Sequence, residues 1–412
     1  MAKIKLTGHA SGTGILTVTA PNTSTDRTIT LPDATDTLIG AATTDALTTR
    51  INATGGRKNI IINGGMQVAQ RGTSSAASGF QTVDRFTVSN SGNDELPTQA
   101  QHALTSSDTG PWAKGFRTSY HQTNGNQTSG AGAADRVTFQ HVIESQDIAN
   151  SGWDYTSSSS YITLSFWCKS SVAQNFYGRL QSADGTGQAL AFETGSLTAD
   201  TWTKITKTVP GNSNLQFDND NGIGMTIEFV LFRGTDKTGS MSLDTWAAFV
   251  SGTRVPDMTS TWYTTNDATF EITGVQLELG SVATDFEHRS FGEELALCQR
   301  YFEKSYDYAT LAGTSTYLST VGRHGTAGTA TSGEMFTSTV FKVEKRAAPT
   351  VLAYDTSGNV GKCTVTNFGV TEHVNEVCNE VHITTSGCHF QKTNGGNTGR
   401  AITVHYTADA EL

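Results

Sequence analysis

Residues 268–304 read ATFEITGVQLELGSVATDFEHRSFGEELALCQRYFEK. The stretch begins as a strand, with Phe270 and Ile272 alternating on one face. The phase then slips by one residue, so that Val275, Leu277 and Leu279 take the apolar side. Gly274 stands at the slip, where a β-bulge favours a residue without a Cβ. After a polar link the period becomes helical: Leu295, Cys298 and Phe302 fall at i, i+3 and i+7, with Glu293 and Glu294 in the first turn and Lys304 in the last. That spacing predicts a helix over 291–304, and acids before bases suit its dipole. A bulged strand leading into a short helix predicts a junction between β-rich modules.

Working outward, the composition agrees with an all-β chain. The protein has 412 residues, 42 of them Gly, and 16% of its residues are charged. Glycine-rich, charge-poor composition favours short strands and turns over exposed helices. A formal net charge of −10 without a basic run excludes a nucleic-acid footprint. The N-terminal stretch lacks a signal-peptide apolar core, and no run of apolar residues reaches the ~18 of a membrane span. The expectation is synthesis in a cytoplasm, with any extracellular role reached by release of assembled particles. Cys168 and Cys298 fall at apolar positions, and Cys363, Cys378 and Cys388 lack the tight pairing of a zinc ribbon. All five are expected to be unlinked structural thiols, and no cofactor is implied.

Five segments follow from the pattern. Residues 1–40 read as short strands with too few apolar side chains for a core of their own. Residues 41–56 could form a short helix with Leu47 and Ile51 at i, i+4; alone it would be marginal, and three copies wound together would hold it. Residues 57–290 form one large β-domain. Its clearest strand, Tyr161–Lys169, puts Ile162, Leu164, Phe166 and Cys168 on one face and Tyr161, Thr163, Ser165 and Trp167 on the other. Met225–Phe232 is its partner, and the Phe80–Phe86 run supplies core while Asp84 and Arg85 stay polar. Long polar loops between antiparallel strands indicate a sandwich of two packed sheets. Residues 291–306 are the connecting helix, and 307–412 a second, smaller sandwich.

Three blocks carry a resemblance: GTGILTVTAPNTSTDRTITLPDATDTLIG, then NIIINGGMQVAQRGT with FQTVDRF, then the 268–304 stretch with the closing ADAEL. Together they resemble bacteriophage tail fibre or receptor-binding proteins of the jelly-roll, carbohydrate-binding-module-like type, and they bracket nearly the whole chain. The resemblance implies a homotrimeric virion protein. Its N-terminal β-rich segment would attach to the tail or an adaptor, and its distal part would meet a host surface glycan or outer-membrane component. Leu47, Ile51, Leu295, Cys298 and Phe302 are the trimer-interface candidates.

Catalysis has little to build on. Hydrolysis of a polysaccharide needs two carboxylates flanking the bond. Glu144, Asp147, Asp154, Glu193, Glu228 and Glu271 are available, but most fall at outward strand positions or loop ends, where solvated surface is the default. No GxSxG is present. Asp218 and Asp220, in the run DNDNG, offer oxygen ligands that calcium could use, although such runs are ordinary turn chemistry. No catalytic residue is assigned. Glycan recognition needs only aromatic faces beside hydrogen-bonding loops, which makes Trp112, Trp153, Tyr155, Trp262, Tyr263, Tyr308, Tyr317 and Tyr354 the contact candidates; for any one of them, core or intersubunit packing is the alternative. The rival readings are a purely architectural fibre or adaptor, a depolymerase tailspike, and a secreted bacterial carbohydrate-binding protein.

Overall fold

The computed structural model describes residues 58–321, 335–367, 371–392 and 401–412. The expectations for 1–40 and 41–56, including Leu47 and Ile51, lie outside the described residues. Residues 53–412 form one compact unit.

Its larger part is a jelly-roll sandwich of two six-stranded sheets. The first runs β1 (Ser74–Ser75), β3 (Thr98–Ala103), β4 (Thr118–Thr123), β12 (Thr269–Leu279), β6 (Tyr161–Ser170) and β9 (Thr203–Pro210). The second runs β11 (Ala247–Ala248), β8 (Gln188–Ser196), β7 (Asn175–Ser182), β10 (Ile223–Arg233), β5 (Arg136–Glu144) and β2 (Phe86–Ser91). Every pairing in both is antiparallel. Alternation does the sorting: Ile162, Leu164, Phe166 and Cys168 on β6 meet Met225, Ile227, Phe229 and Leu231 on β10 in one buried cluster. Phe166 and Phe229 touch edge to face at 5.2 Å. Such pairs add about 0.5–1.5 kcal/mol beyond the area they bury.

The bulge anticipated at Gly274 is present. Register shifts between Thr273 and Gln276, and Gly274 has φ +65°. A Cβ there would stand 2.6 Å from the Phe116 ring, so glycine is required by space as well as by backbone angle. Gly64 is needed for close approach: its Cβ would lie 2.0 Å from the Val275 carbonyl oxygen.

The smaller part holds a three-stranded sheet, β13 (Phe302–Lys304), β20 (His405–Asp409) and β15 (Thr350–Tyr354), and a five-stranded one, β14 (Met335–Val340), β18 (Gly387–Lys392), β17 (Thr371–Val381), β16 (Lys362–Asn367) and β19 (Ala401–Thr403). They share a core that includes Ala353, Cys363, Phe390, Ile402 and Tyr406. All five cysteines are buried and unlinked.

The junction differs from the sequence expectation. The helix covers only Phe291–Gln299, started by a Ser290–Glu293 capping box. Phe302 and Lys304 are strand residues, because 302–304 pair with Thr407–Asp409 at the other end of the chain. Cys298 and Phe302 are buried within the one chain, and Leu295 packs with Ile62, Val68 and Tyr301. These three therefore offer little surface for a seam between copies. Asp84 and Arg85 are also buried, contrary to expectation. Gln70 holds the Asp84 carboxylate, while Arg85 donates to Glu411 and stacks 3.3 Å over the Tyr301 ring. Glu144 receives Arg300 Nε at 2.7 Å and Tyr301 at 2.5 Å. The Lys345–Glu303 pair, at 2.6 Å, is completely buried. Charged groups drawn from both sandwiches fix this junction.

Candidate functional site

On the outer face of the first sheet, register builds a polar row. Glu271 on β12 lies opposite His121 on β4 and Lys169 on β6, while His102 on β3 lies opposite Ser119. The Glu271 carboxylate accepts from Ser119 Oγ at 2.7 Å and meets Lys169 Nζ at 3.0 Å, His102 Nδ1 at 3.1 Å and His121 Nδ1 at 3.6 Å. Burial alone would raise its pKa, but the His121 imidazole, the Ser119 hydroxyl, the Lys169 ammonium and the His102 imidazole around it win and hold it far below the usual carboxylate range. Asp108, from the loop after β3, shares Lys169 at 3.0 Å and accepts Trp202 Nε1 at 2.9 Å. Its partial desolvation is outweighed by bonds from Trp202, Thr105 and Lys169, and its pKa is lowered to about 2. Both acids are thus ionised at neutral pH.

His102, His121 and Glu271 place one ligand atom each within 4.8 Å of one another, a spacing that a metal ion could bridge. Lys169 already occupies one Glu271 oxygen, so the same cluster is also satisfied as an ion-pair network.

Beside this row lies a groove of ≈ 300 Å³ lined by Trp167, Phe116, Phe286, Gly274, Lys114, Lys204, Asp285 and His288, among others. Trp167 takes the outward position two residues before Lys169. A Cβ on Gly110 would lie 2.8 Å from its six-membered ring, so this loop backbone rests against one part of the indole. The Gly274 bulge seats Phe116, which meets Phe286 at 4.8 Å. An apolar floor with ammonium, imidazole and carboxylate groups at its edge suits a ligand with flat apolar faces and many hydroxyls.

The sequence candidates are scattered. Trp112 is half-buried on the same loop as Gly110, with the Arg117 guanidinium 3.7 Å over its ring. Trp153, Trp262, Tyr263 and Tyr354 are buried and cannot face a ligand as they stand. Their rings were needed inside: Trp262 is fully enclosed and Tyr263 stacks on Phe232 at 4.2 Å. Tyr155 is half-buried against Phe217 at 4.9 Å. Tyr308 is partly exposed, though its hydroxyl accepts from Ala69 N at 2.8 Å, and Tyr317 is half-exposed and donates to Glu372. Neither lines the groove. Asp218 and Asp220 are exposed in the turn before β10, where Asp220 caps Gly222 N at 2.8 Å. The carboxylates expected on solvated surface include three that are buried in ion pairs: Glu144, Glu228 and Glu271. Trp167, Trp202, His102, His121 and Lys169 were not singled out. The signal for Trp167 was its outward place in the alternation of β6; nothing local marked the others.

The chain matches no protein-family model and no curated protein sequence. Solved structures similar to it include the N-terminal cellulose-binding domain of β-1,4-glucanase C from Cellulomonas fimi, with 10% identity, 53% of this chain and 99% of that one covered, and a TM-score of 0.25. The CBM22-1 xylan-binding domain from Paenibacillus barcinonensis is similar at 10% identity, covering 55% and 100%, TM-score 0.24. A family 11 carbohydrate-binding module from Clostridium thermocellum is similar at 10% identity, covering 52% and 98%, TM-score 0.24. At this level the chain's own geometry has to carry any statement about its ligand.

Proposed function

We propose that the protein is a virion tail fibre protein that attaches a bacteriophage to its host by binding a surface glycan in the groove beside Trp167. The groove carries this reading: the Trp167 and Phe286 rings, backed by the buried Phe116, give it an apolar lining, and Lys114, Lys204, His288 and Asp285 stand around it. The three sequence blocks that resemble tail fibres supply the virion context. Binding without hydrolysis is favoured because Asp108 and Glu271 both have lowered pKa values and share one lysine, so neither is poised to donate a proton to a leaving group.

Assembly as a homotrimer belongs to the same proposal. Phe336, Val340, Val360 and Val377 of the smaller sandwich are 45%, 81%, 57% and 53% exposed, apolar surface of the kind that copies bury against one another. Three modest sites per fibre would then act together.

The test is binding of the full chain to an array of purified bacterial surface polysaccharides and to whole cells. Wild-type protein should bind and compete with particles for adsorption. Trp167→Ala should weaken binding at least tenfold while leaving the melting temperature nearly unchanged. Equal binding by wild type and variant would remove the groove from the proposal, and release of reducing ends would favour a depolymerase. A solution mass of one chain would refute the trimer.

A further inference from the structure

The outer face of the second sheet is built from a different kind of residue. Register sets Arg179 on β7 opposite Glu228 on β10, and Arg136 on β5 opposite Arg233 at the end of β10. Arg254, from the loop after β11, joins them: its guanidinium and that of Arg179 lie 5.6 Å and 5.2 Å from the Phe249 ring. Glu228 takes Arg179 Nε at 2.5 Å and Arg233 Nη2 at 2.6 Å, one on each carboxylate oxygen. Four guanidinium groups therefore gather round one carboxylate whose oxygens are both taken. Among the described residues, Arg254 has Arg179 and Arg136 as like-charged neighbours and Glu228 as counter-charge.

Donors in the cluster also go unused. Arg179 Nη1, Arg233 Nε and Arg136 Nε are buried without a hydrogen-bond partner among the described residues. The Arg179 and Arg233 side chains are only 5% and 2% exposed, whereas Arg136 and Arg254 are half-buried at the rim. Like charges directly opposed across a strand pair are destabilising, and a guanidinium cannot relieve the strain by losing its proton. Buried donors without acceptors are rare enough to need a reason. The protein as a whole is acidic, so this cluster opposes the global charge.

We infer that this face is an oxyanion site, taking a carboxylate or phosphate group of an acidic glycan. Arg179 and Arg233 would hold it from below, and Arg136 and Arg254 would close on it from the rim. Guanidinium forks match the two-oxygen edge of either group, and the unused N–H donors are what such a group would accept from. The inference rests on the glycan-binding reading and deepens it by naming the charge of the sugar, yet it uses residues on the opposite sheet from Trp167.

The experiment titrates the full chain, at low salt, with inorganic phosphate, with trigalacturonate and with neutral maltotriose, read by calorimetry and by melting temperature. Phosphate, trigalacturonate or both should bind and raise the melting temperature, with affinity falling steeply as NaCl is added. Arg254→Gln and Arg136→Gln should each weaken that binding at least tenfold. In anion-free buffer Arg136→Gln should melt higher than wild type, since it relieves repulsion from Arg233; an arginine kept only for structure would melt lower when replaced. A response to phosphate alone supports the site and assigns it to phosphorylated sugars, and one to trigalacturonate alone assigns it to uronic acids. No binding of either anion, binding undiminished in both variants, or equal binding of maltotriose overturns it. Trp167→Ala separates the two proposals, because it should abolish polysaccharide binding in the groove and leave the phosphate response intact.

Discussion

Glu271 and Glu228 sit on the eleven-residue strands β12 and β10, each the fourth strand of its sheet, and both are turned away from the jelly-roll core and buried. Their surroundings differ in chemistry. Glu271 is met by a hydroxyl, a lysine and two histidines, and that lysine is shared with a second acid, Asp108. Glu228 is met by arginines, whose number exceeds the negative charge available. The first face can adjust, because Lys169 keeps a second partner in Asp108. The second cannot, because every member of its shell stays charged. A balanced face can serve as a rigid platform beside an aromatic groove, while an unbalanced one is completed by a counter-ion.

The largest expected effect comes from Glu228→Gln, which keeps the shape and leaves four guanidinium groups without a carboxylate. Chemical denaturation should show a loss of about 3–5 kcal/mol, the usual consequence of breaking a buried pair from one side. Glu271→Gln should cost less, about 2–3 kcal/mol, because Asp108 still holds Lys169. Equal losses would mean that the two shells do not differ as described. Next in size is an acid effect at Asp108 on the first face. The pKa of Asp108 lies near 2 against an ordinary 3.8, so its contribution is present above pH 3.8 and is lost as pH falls toward 2. Allowing for partial solvent exposure, this amounts to about 1–2 kcal/mol, and Asp108→Asn should flatten stability over that window. The smallest effect is expected from His102→Ala. That imidazole is 51% exposed, and its contact with Glu271 should be worth less than about 1 kcal/mol in a thermal melt.

Much of the framework was legible locally. Two-residue alternation on β6 and β10 identified the strands that meet in the core, and the phase slip at Gly274 identified the bulge that seats Phe116. The helix after it was legible at its start, through Glu293 and Glu294, and not at its end. Helical spacing of Phe302 was coincidental, because pairing with Thr407–Asp409 claims those residues for a strand. Four of the eight aromatic candidates, Trp153, Trp262, Tyr263 and Tyr354, are buried for a related reason. A tryptophan or tyrosine in a polar loop looks exposed, yet Trp153, Trp262 and Tyr263 join the buried core of the sandwich, where their large apolar surface is worth most.

Alternation, glycine placement and the scarcity of charge determined by themselves that this chain forms packed antiparallel sheets, since those signals act over a few neighbouring residues. Which outward side chains meet was decided only by tertiary structure. Glu271 meets Lys169, 102 residues earlier in the sequence, through strand register, as Arg233 meets Arg136. Strand pairing, set by the burial of the opposite face, fixes those meetings, and the chemistry of both surfaces depends on it.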